Sequence, residues 1–374
     1  LAVAATLASP LAGAFLALAG IAIAVAAPSA GDGGRQRRAA AALAVASLAP
    51  IVLLTIAFAE GGHEPFASSS FWPGLAATLA VLALLPRQWR TLRCGIVLYA
   101  LASVASFAVA TPVGGNAARL GPLFAGPLLA PALWQRRRLV LVLLALPLAY
   151  WQLQAPARDA ASAAGDPSTH AAYYRPLLAW LARQPGPFRI EIPLTREHWE
   201  SALVAQRFPI ARGWERQLDI ELNPIFYRRG LSADGYRQWL ADDAIKYVAL
   251  PDVEFDYSGK REAALVASRP SYLRPAWSSA HWRVFAVVGA RPLAAPPATI
   301  SAISPQSFTL RFSRPASAAV RVRYSRYWAL TSGRGCVRRA PGGWTRVTAS
   351  GAGTVRVGIR FALARVLSSA SRCS

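Results

Sequence analysis

The chain has 374 residues, a formal net charge of +23 and hydrophobic side chains at 54% of positions. Length admits two or three domains. The apolar content is gathered before Trp151, where charges come only in short bursts, and this excludes a chain that is water-soluble throughout. The charge is nearly all arginine, Lys246 and Lys260 being the only lysines, and that bias reads as genomic rather than functional. There is no methionine, and Leu1 already lies inside an apolar run, so the sequence reads as a piece of a longer protein.

A hydrocarbon core needs roughly 20 apolar residues of helix. Runs of that kind are Leu1–Ala27, Ala39–Ala59, Phe71–Pro86 and Cys94–Thr111. Two shorter ones follow, Leu120–Trp134 and Leu139–Trp151, and Pro122, Pro127 and Pro131 are expected to kink or break the first of these. They form either two short spans or a re-entrant hairpin. A cleaved signal peptide ending near Ala26–Ala30 is the alternative for the first run, which is long for one and lacks a basic start.

Arginine clusters follow alternate runs: Arg35, Arg37 and Arg38, then Arg87, Arg90 and Arg93, then Arg136, Arg137 and Arg138. The intervening loops are Glu60–Ser70, with no Lys or Arg, and Pro112–Arg119, with one Arg. Basic residues near span ends favour the cytoplasm, so this phase predicts that everything after Trp151 lies outside.

Residues 152–170 read as a linker. A helix is expected over Tyr173–Arg183, a strand over Phe188–Pro193 and a helix over Arg196–Ala205. Another helix is expected over Ser232–Asp243 with Ser232 as its N-cap. A strand at Tyr247–Leu250, a helix at Tyr257–Ser268 and a strand at Trp282–Val288 complete a small α/β or α+β domain over 171–292. From Ala298 the pattern becomes short alternating strands: Ser307–Phe312, Ala319–Tyr324, Gly343–Ala349 and Thr354–Ile359. The expected architecture is therefore a membrane α-helical bundle of about six spans over 1–151, an extracytoplasmic α/β domain, and a C-terminal β-sandwich over 293–374.

Residues 291–374 hold 14 arginines and no acidic residue. Such a module is drawn to anionic lipid headgroups or cell-envelope polymer by summed field, or its arginines simply solvate strand faces. Nucleic acid is excluded by the predicted topology. Cys336 and Cys373 share this module, where a disulfide can form; Cys94 is expected to be a buried thiol.

The loop Glu60-Gly-Gly-His-Glu-Pro-Phe66 puts two carboxylates and an imidazole at the outer membrane surface. Glu60 and Glu64 suit acid–base work or a divalent metal, although a polar turn between helices needs no such role. Arg119 is a candidate phosphate contact, with Asn116 beside it, or it snorkels to the interface. His198, Trp199, Arg212 and Trp214 combine aromatic, basic and imidazole groups as sugar sites do, and as ordinary cores with ion pairs also do. His63, His170, His198 and His281 show no metal-ligand spacing, so no metal ligands are assigned. The absence of a Walker loop, a Rossmann glycine fingerprint and a Gly-x-Ser-x-Gly elbow argues against a nucleotide-driven pump or a soluble hydrolase.

The order of apolar spans, Ile245-Lys-Tyr-Val-Ala-Leu-Pro-Asp252, Val322-Arg-Tyr-Ser-Arg-Tyr-Trp-Ala-Leu330 and Gly342-Gly-Trp-Thr-Arg-Val347 resembles the C-terminal half of bacterial GT-C-type glycosyltransferases. It is most similar to YfhO-like, PTPS-related multi-span membrane proteins of the actinobacterial kind, over about 60–374. The resemblance implies handling of a polyprenyl-phosphate-linked sugar. In that superfamily the catalytic carboxylate usually lies in an outer loop that precedes this stretch, so none is carried over. The alternative is a non-enzymatic, membrane-anchored envelope-assembly or polymer-binding scaffold. A transporter half is weaker, since no internal repeat is visible.

Overall fold

The computed structural model describes residues 1–29, 31–59, 61–134, 137–228 and 230–367. They form two compact units. One comprises Leu1–Ser162 together with Arg216–Glu221; the other comprises Ala163–Glu215 and the chain from Leu222 onward.

The first unit is helical: α1 (Ala2–Ala8), α2 (Pro10–Ala26), α3 (Gly33–Ala57), α4 (Ser68–Leu84), α5 (Arg90–Ala108), α6 (Leu120–Trp134) and α7 (Arg138–Ala163). The first apolar run is divided because Ser9 caps α2, accepting from the Ala12 N–H, and Pro10 occupies the helix start, where it lacks no needed donor. Helices α2 and α3 approach closely through small residues: a Cβ on Gly20 would lie 2.9 Å from the Ala40 carbonyl oxygen. Thr6, fully buried, ties α1 to α3 by donating to the Ser47 carbonyl at 3.1 Å. Pro127 and Pro131 sit inside α6, which nonetheless continues to Trp134.

Three of these helices, α3, α5 and α7, are long and apolar enough to cross a membrane; α2 and α4 are shorter apolar helices. Large apolar side chains cover their surfaces, including Val45, Leu53, Leu101, Leu139, Leu143 and Leu146. No residue of α7 is buried. Water penalises such a surface, whereas lipid does not. Where a linker was expected over 152–170, α7 continues to Ala163 and a 3₁₀ turn follows at Pro167–Thr169, capped by Asp166 accepting from the Ser168 N–H at 2.8 Å.

The second unit begins with α8 (Ala171–Leu181), β1 (Arg189–Glu191) and α9 (Glu200–Leu203). After α10 (Arg216–Leu222) come α11 (Ala233–Asp242), β2 (Ile245–Pro251), α12 (Lys260–Ala267), β3 (Leu273–Ser278) and β4 (Trp282–Val287). The sheet order is β1-β2-β4-β3, with β1 and β2 parallel and the other pairs antiparallel. Strand β2 is buried on both faces because its side chains alternate between two cores. Tyr247 and Ala249 join Tyr174, Leu177 and Trp282 on the α8 side. Val248 and Leu250 join Tyr236, Leu240 and Val266 on the side of α11 and α12. Ser232 caps α11 as expected, accepting from Gly235 N–H. The helix expected over Arg196–Ala205 shrinks to Glu200–Leu203. Thr195 donates its hydroxyl to Glu200 at 2.6 Å, and the backbone at His198 turns to φ 57°.

Seven antiparallel strands follow: β5 (Ala298–Ser304), β6 (Ser307–Phe312), β7 (Ala316–Arg323), β8 (Trp328–Ser332), β9 (Gly335–Arg339), β10 (Trp344–Ala349) and β11 (Gly353–Ile359), then a short α13 (Leu363–Leu367). They form two sheets, β5-β6-β11-β8 and β7-β10-β9. Phe308, Leu310, Phe312, Val355 and Val357 of the first sheet share one core with Ala318, Val320, Val337 and Val347 of the second. Some of the arginine surplus is consumed inside this unit. Arg189, buried at the start of β1, donates to the carbonyls of Asp243 and Arg321. Arg323 stacks 3.9 Å above Trp344 and reaches Asp243 at 3.4 Å. Burial lowers the Arg189 guanidinium to about 10 and raises the Asp243 carboxyl, although each lies near the other.

Candidate functional site

Between α3 and α4 the chain reads Gly61-Gly62-His63-Glu64-Pro65-Phe66, and between α5 and α6 it forms a 3₁₀ segment, Gly114–Arg119. These loops lie side by side, with the Glu64 N–H donating to the Thr111 carbonyl at 2.9 Å. One glycine makes this contact possible, and a second admits the Gln217 backbone to the Glu64 loop. Gly114 has φ 41°, and a Cβ there would lie 1.8 Å from the Glu64 carbonyl oxygen. Gly62 has φ 57°, and its Cβ would lie 2.4 Å from the carbonyl oxygen of Gln217. Neither backbone conformation nor either approach tolerates an L side chain. The loop is anchored by Phe66, whose ring meets Phe71 and Phe107 edge-on while those two stack at 4.0 Å.

Glu64 is half-buried. Burial raises its carboxyl above the ordinary range, while Arg216, Arg119 and His63 pull it down through their charge, and burial wins. Raised in this way, the carboxyl keeps a proton to higher pH than a solvated one does, which is the direction that acid–base work needs. Asn116 is half-buried on the 3₁₀ segment and Arg119 is exposed at its end.

Immediately past Arg119 begins the wall of an apolar cavity. It has a volume of about 580 Å³ and is lined by Phe15, Tyr99, Leu120, Gly121, Phe124 and Trp151, among other apolar residues. Tyr99 fixes this wall to the 3₁₀ segment. Its hydroxyl donates to the Ala117 carbonyl at 3.0 Å and accepts from the Gly121 N–H at 3.2 Å. The cavity lining is apolar throughout apart from the Tyr99 hydroxyl and the two threonines Thr78 and Thr91.

Of the residues singled out in the sequence, Glu64, Asn116 and Arg119 belong to the first unit, and the structure joins their loops. Glu60 lies outside the described residues. His198, Trp199, Arg212 and Trp214 belong to the second unit. Trp199 and Trp214 are exposed. The His198 ring lies 3.8 Å from carboxylate oxygens of both Glu200 and Asp256. Arg212 is a core residue instead of a surface sugar contact. Its buried guanidinium pairs with Glu262 at 2.9 Å, donates to Ser258 at 3.1 Å and packs 3.8 Å from the Phe226 ring centre. Cys336 is buried on β9, whereas its expected partner Cys373 lies outside the described residues. Cys94 is a free, half-buried thiol. Among the described residues, no three His, Cys, Asp or Glu side chains are arranged to hold a metal ion.

Two groupings escaped the sequence reading. Arg216 joins Glu64 across more than a hundred and fifty residues of chain, with no local signal for it. At the carboxyl end of β2, Asp252 accepts from the Tyr173 hydroxyl at 2.8 Å and bonds His281 Nδ1 at 2.9 Å. The strand-end position of Asp252 was the available clue, since polar residues there often face ligands in α/β sheets.

No family model, curated protein or solved structure matches the chain.

Proposed function

We propose that the helical unit is a multi-pass membrane bundle that handles a polyprenyl-phosphate-linked sugar at its outer face, as the resemblance to GT-C-type glycosyltransferases implies. The observation that carries this reading is the apolar cavity whose wall continues directly into the segment bearing Arg119, beside Glu64. The alternating arginine clusters support the orientation, with the second unit outside and its two antiparallel sheets closing as a β-sandwich. On this reading all six apolar runs lie in the membrane.

In the proposed transfer, Arg119 holds the lipid phosphate and Glu64 accepts the proton of an acceptor hydroxyl. That oxygen forms a bond to the sugar's anomeric carbon as the bond from that carbon to the phosphate oxygen breaks. The electron pair leaves with the polyprenyl phosphate, whose charge Arg119 stabilises. The test uses the full chain reconstituted in lipid with a radiolabelled polyprenyl-phosphate sugar and a sugar acceptor. Glu64→Gln is expected to abolish transfer while retaining lipid binding. Transfer at the wild-type rate by that variant, or no lipid binding by the wild type, refutes the reading.

A second reading is an envelope scaffold that docks on anionic polymer. It is favoured by exposed Arg311, Arg338, Arg346 and Arg356 in a module without acidic residues. It requires polymer binding that weakens as salt screens the charges.

A further inference from the structure

We propose that the outer face of the sheet β5-β6-β11-β8 binds an acidic polysaccharide, Arg311 and Arg356 pairing its carboxylates while neighbouring threonines and a serine meet its hydroxyls. This inference rests on the polymer-binding reading above, gives it an address and a ligand class, and is independent of whether the helical unit transfers sugar. The face follows from the strands. On β6 and β11 the side chains of Phe308, Leu310, Val355 and Val357 join the shared core, so those of Thr309, Arg311, Thr354 and Arg356 point outward. Arg311 lies opposite Thr354 and Thr309 lies opposite Arg356, so arginine and threonine alternate as on a checkerboard. The two arginines are therefore diagonal neighbours, about 7–8 Å apart at the backbone. Thr299 on β5 extends the Arg311 row, and Ser332 on β8 extends the Arg356 row. All six positions are exposed except Thr309, which is half-buried.

Arginines of the other sheet are engaged within the protein. Arg323 stacks on Trp344, donates to the Gly342 carbonyl at 3.1 Å and reaches Asp243, and Arg321 lies 5.3 Å from the same ring. Arg311 and Arg356 meet no protein carboxylate, carbonyl or ring among the described residues. No Asp or Glu occurs anywhere in 291–374 to neutralise them. Like charges on neighbouring strand positions repel, and an anionic chain spanning both removes that cost. Each planar guanidinium fork matches the two oxygens of a carboxylate. None of the six outward positions carries an aromatic or aliphatic side chain, so the face has nothing to bury in a bilayer. Its hydroxyls instead suit a polymer that bears hydroxyls and carboxylates on the same units.

The test measures binding of the full chain, in micelles of a neutral detergent, to four probes: polygalacturonate, a neutral galactan, polyphosphate and a short-chain anionic phospholipid. The wild type is expected to bind polygalacturonate most tightly and to lose that affinity as salt rises. Arg311→Ala/Arg356→Ala should weaken polygalacturonate binding by about 10- to 100-fold. Arg338→Ala/Arg346→Ala removes the same charge from the other sheet and should weaken it far less. Arg311→Lys/Arg356→Lys keeps the charge and loses only the planar fork, so a several-fold loss should remain. Thr309→Val/Thr354→Val should weaken binding of polygalacturonate but not of polyphosphate.

A wild type that binds no anionic polymer in a salt-sensitive way overturns the polymer-binding reading and this inference together. Equal losses in the two alanine double variants, with none in the lysine variant, mark a diffuse cationic field; the reading then stands and the assignment of this face falls. Tighter binding of polyphosphate or of the phospholipid, unchanged in Thr309→Val/Thr354→Val, overturns the choice of an acidic polysaccharide.

Discussion

Replacing Arg212 by methionine isolates the energetic role of the buried charge network. Arg212 and Glu262 are enclosed, and Glu262 also accepts from the Tyr236 hydroxyl at 2.9 Å. Methionine fills much of the arginine stem but leaves the Glu262 carboxylate without its cation in the core. Breaking a buried pair this way costs about 3–5 kcal/mol. The double variant Arg212→Met/Glu262→Leu removes both charges and should recover a large part of that loss.

The deficit of the single variant should also depend on pH, and the direction follows from linkage. Burial already raises the Glu262 carboxyl, while Arg212 opposes that rise. Without Arg212 the folded-state value climbs further above the unfolded one. A carboxyl raised on folding binds more protons in the folded state, so stability falls as pH rises from the unfolded value through the folded one. The Arg212→Met deficit should therefore be largest near neutral pH and shrink toward about pH 5. Urea titration of the full chain in detergent, followed by tryptophan fluorescence at both pH values, measures this. A deficit that stays constant with pH, or a double variant as unstable as the sum of the two single ones, refutes the reasoning.

Gly114→Ala should remove lipid-phosphate binding while sparing the secondary structure, because its Cβ would meet the Glu64 carbonyl at 1.8 Å; titration with the lipid and far-ultraviolet circular dichroism check both halves. Tyr99→Phe deletes one hydrogen bond to the Ala117 carbonyl and one from the Gly121 N–H. At about 1 kcal/mol each, lipid affinity should fall by roughly 10-fold or more through loosening of the cavity wall. If Glu64 acts as the base, transfer rises with pH through a midpoint above the ordinary carboxylate range. Arg119→Ala should move that midpoint higher, because one of the charges lowering it is gone, and a pH–rate profile of the two proteins decides it. Tyr173→Phe should destabilise the second unit by about 1–2 kcal/mol in the same urea assay, since Asp252 loses a partly buried donor.

Features with a short physical range were legible in the sequence. The apolar runs before Trp151 became helices, three of them long and apolar enough to cross a membrane, because a long apolar run favours the one structure that bonds its backbone internally. The alternating residues of Ser307–Phe312 and Thr354–Ile359 became β6 and β11 within one residue of the expected bounds, since period-two burial needs only the strand and its core. Ser232 capped α11 for the same local reason. Strands β3, β5, β8 and β9 were not anticipated. In β3 and β5 most side chains are exposed, so no clear alternation marks them, and the other two are short and bounded by turns. The run after Arg196 failed as a long helix because the Thr195 and Glu200 side chains close a loop first.

For the candidate site, the sequence by itself picked out Glu64, Asn116 and Arg119 as polar groups stranded between apolar runs. That choice rests on the cost of placing charge beside hydrocarbon, which any single position reveals. Only tertiary structure decided that the two loops touch, that Gly114 permits it, that Gly62 admits the Gln217 carbonyl, and that Arg212 is enclosed while Arg216, four residues on, acts on Glu64 through its charge. Hydrophobicity is a property of each residue and its near neighbours, whereas convergence of charges depends on which distant segments the fold brings into contact.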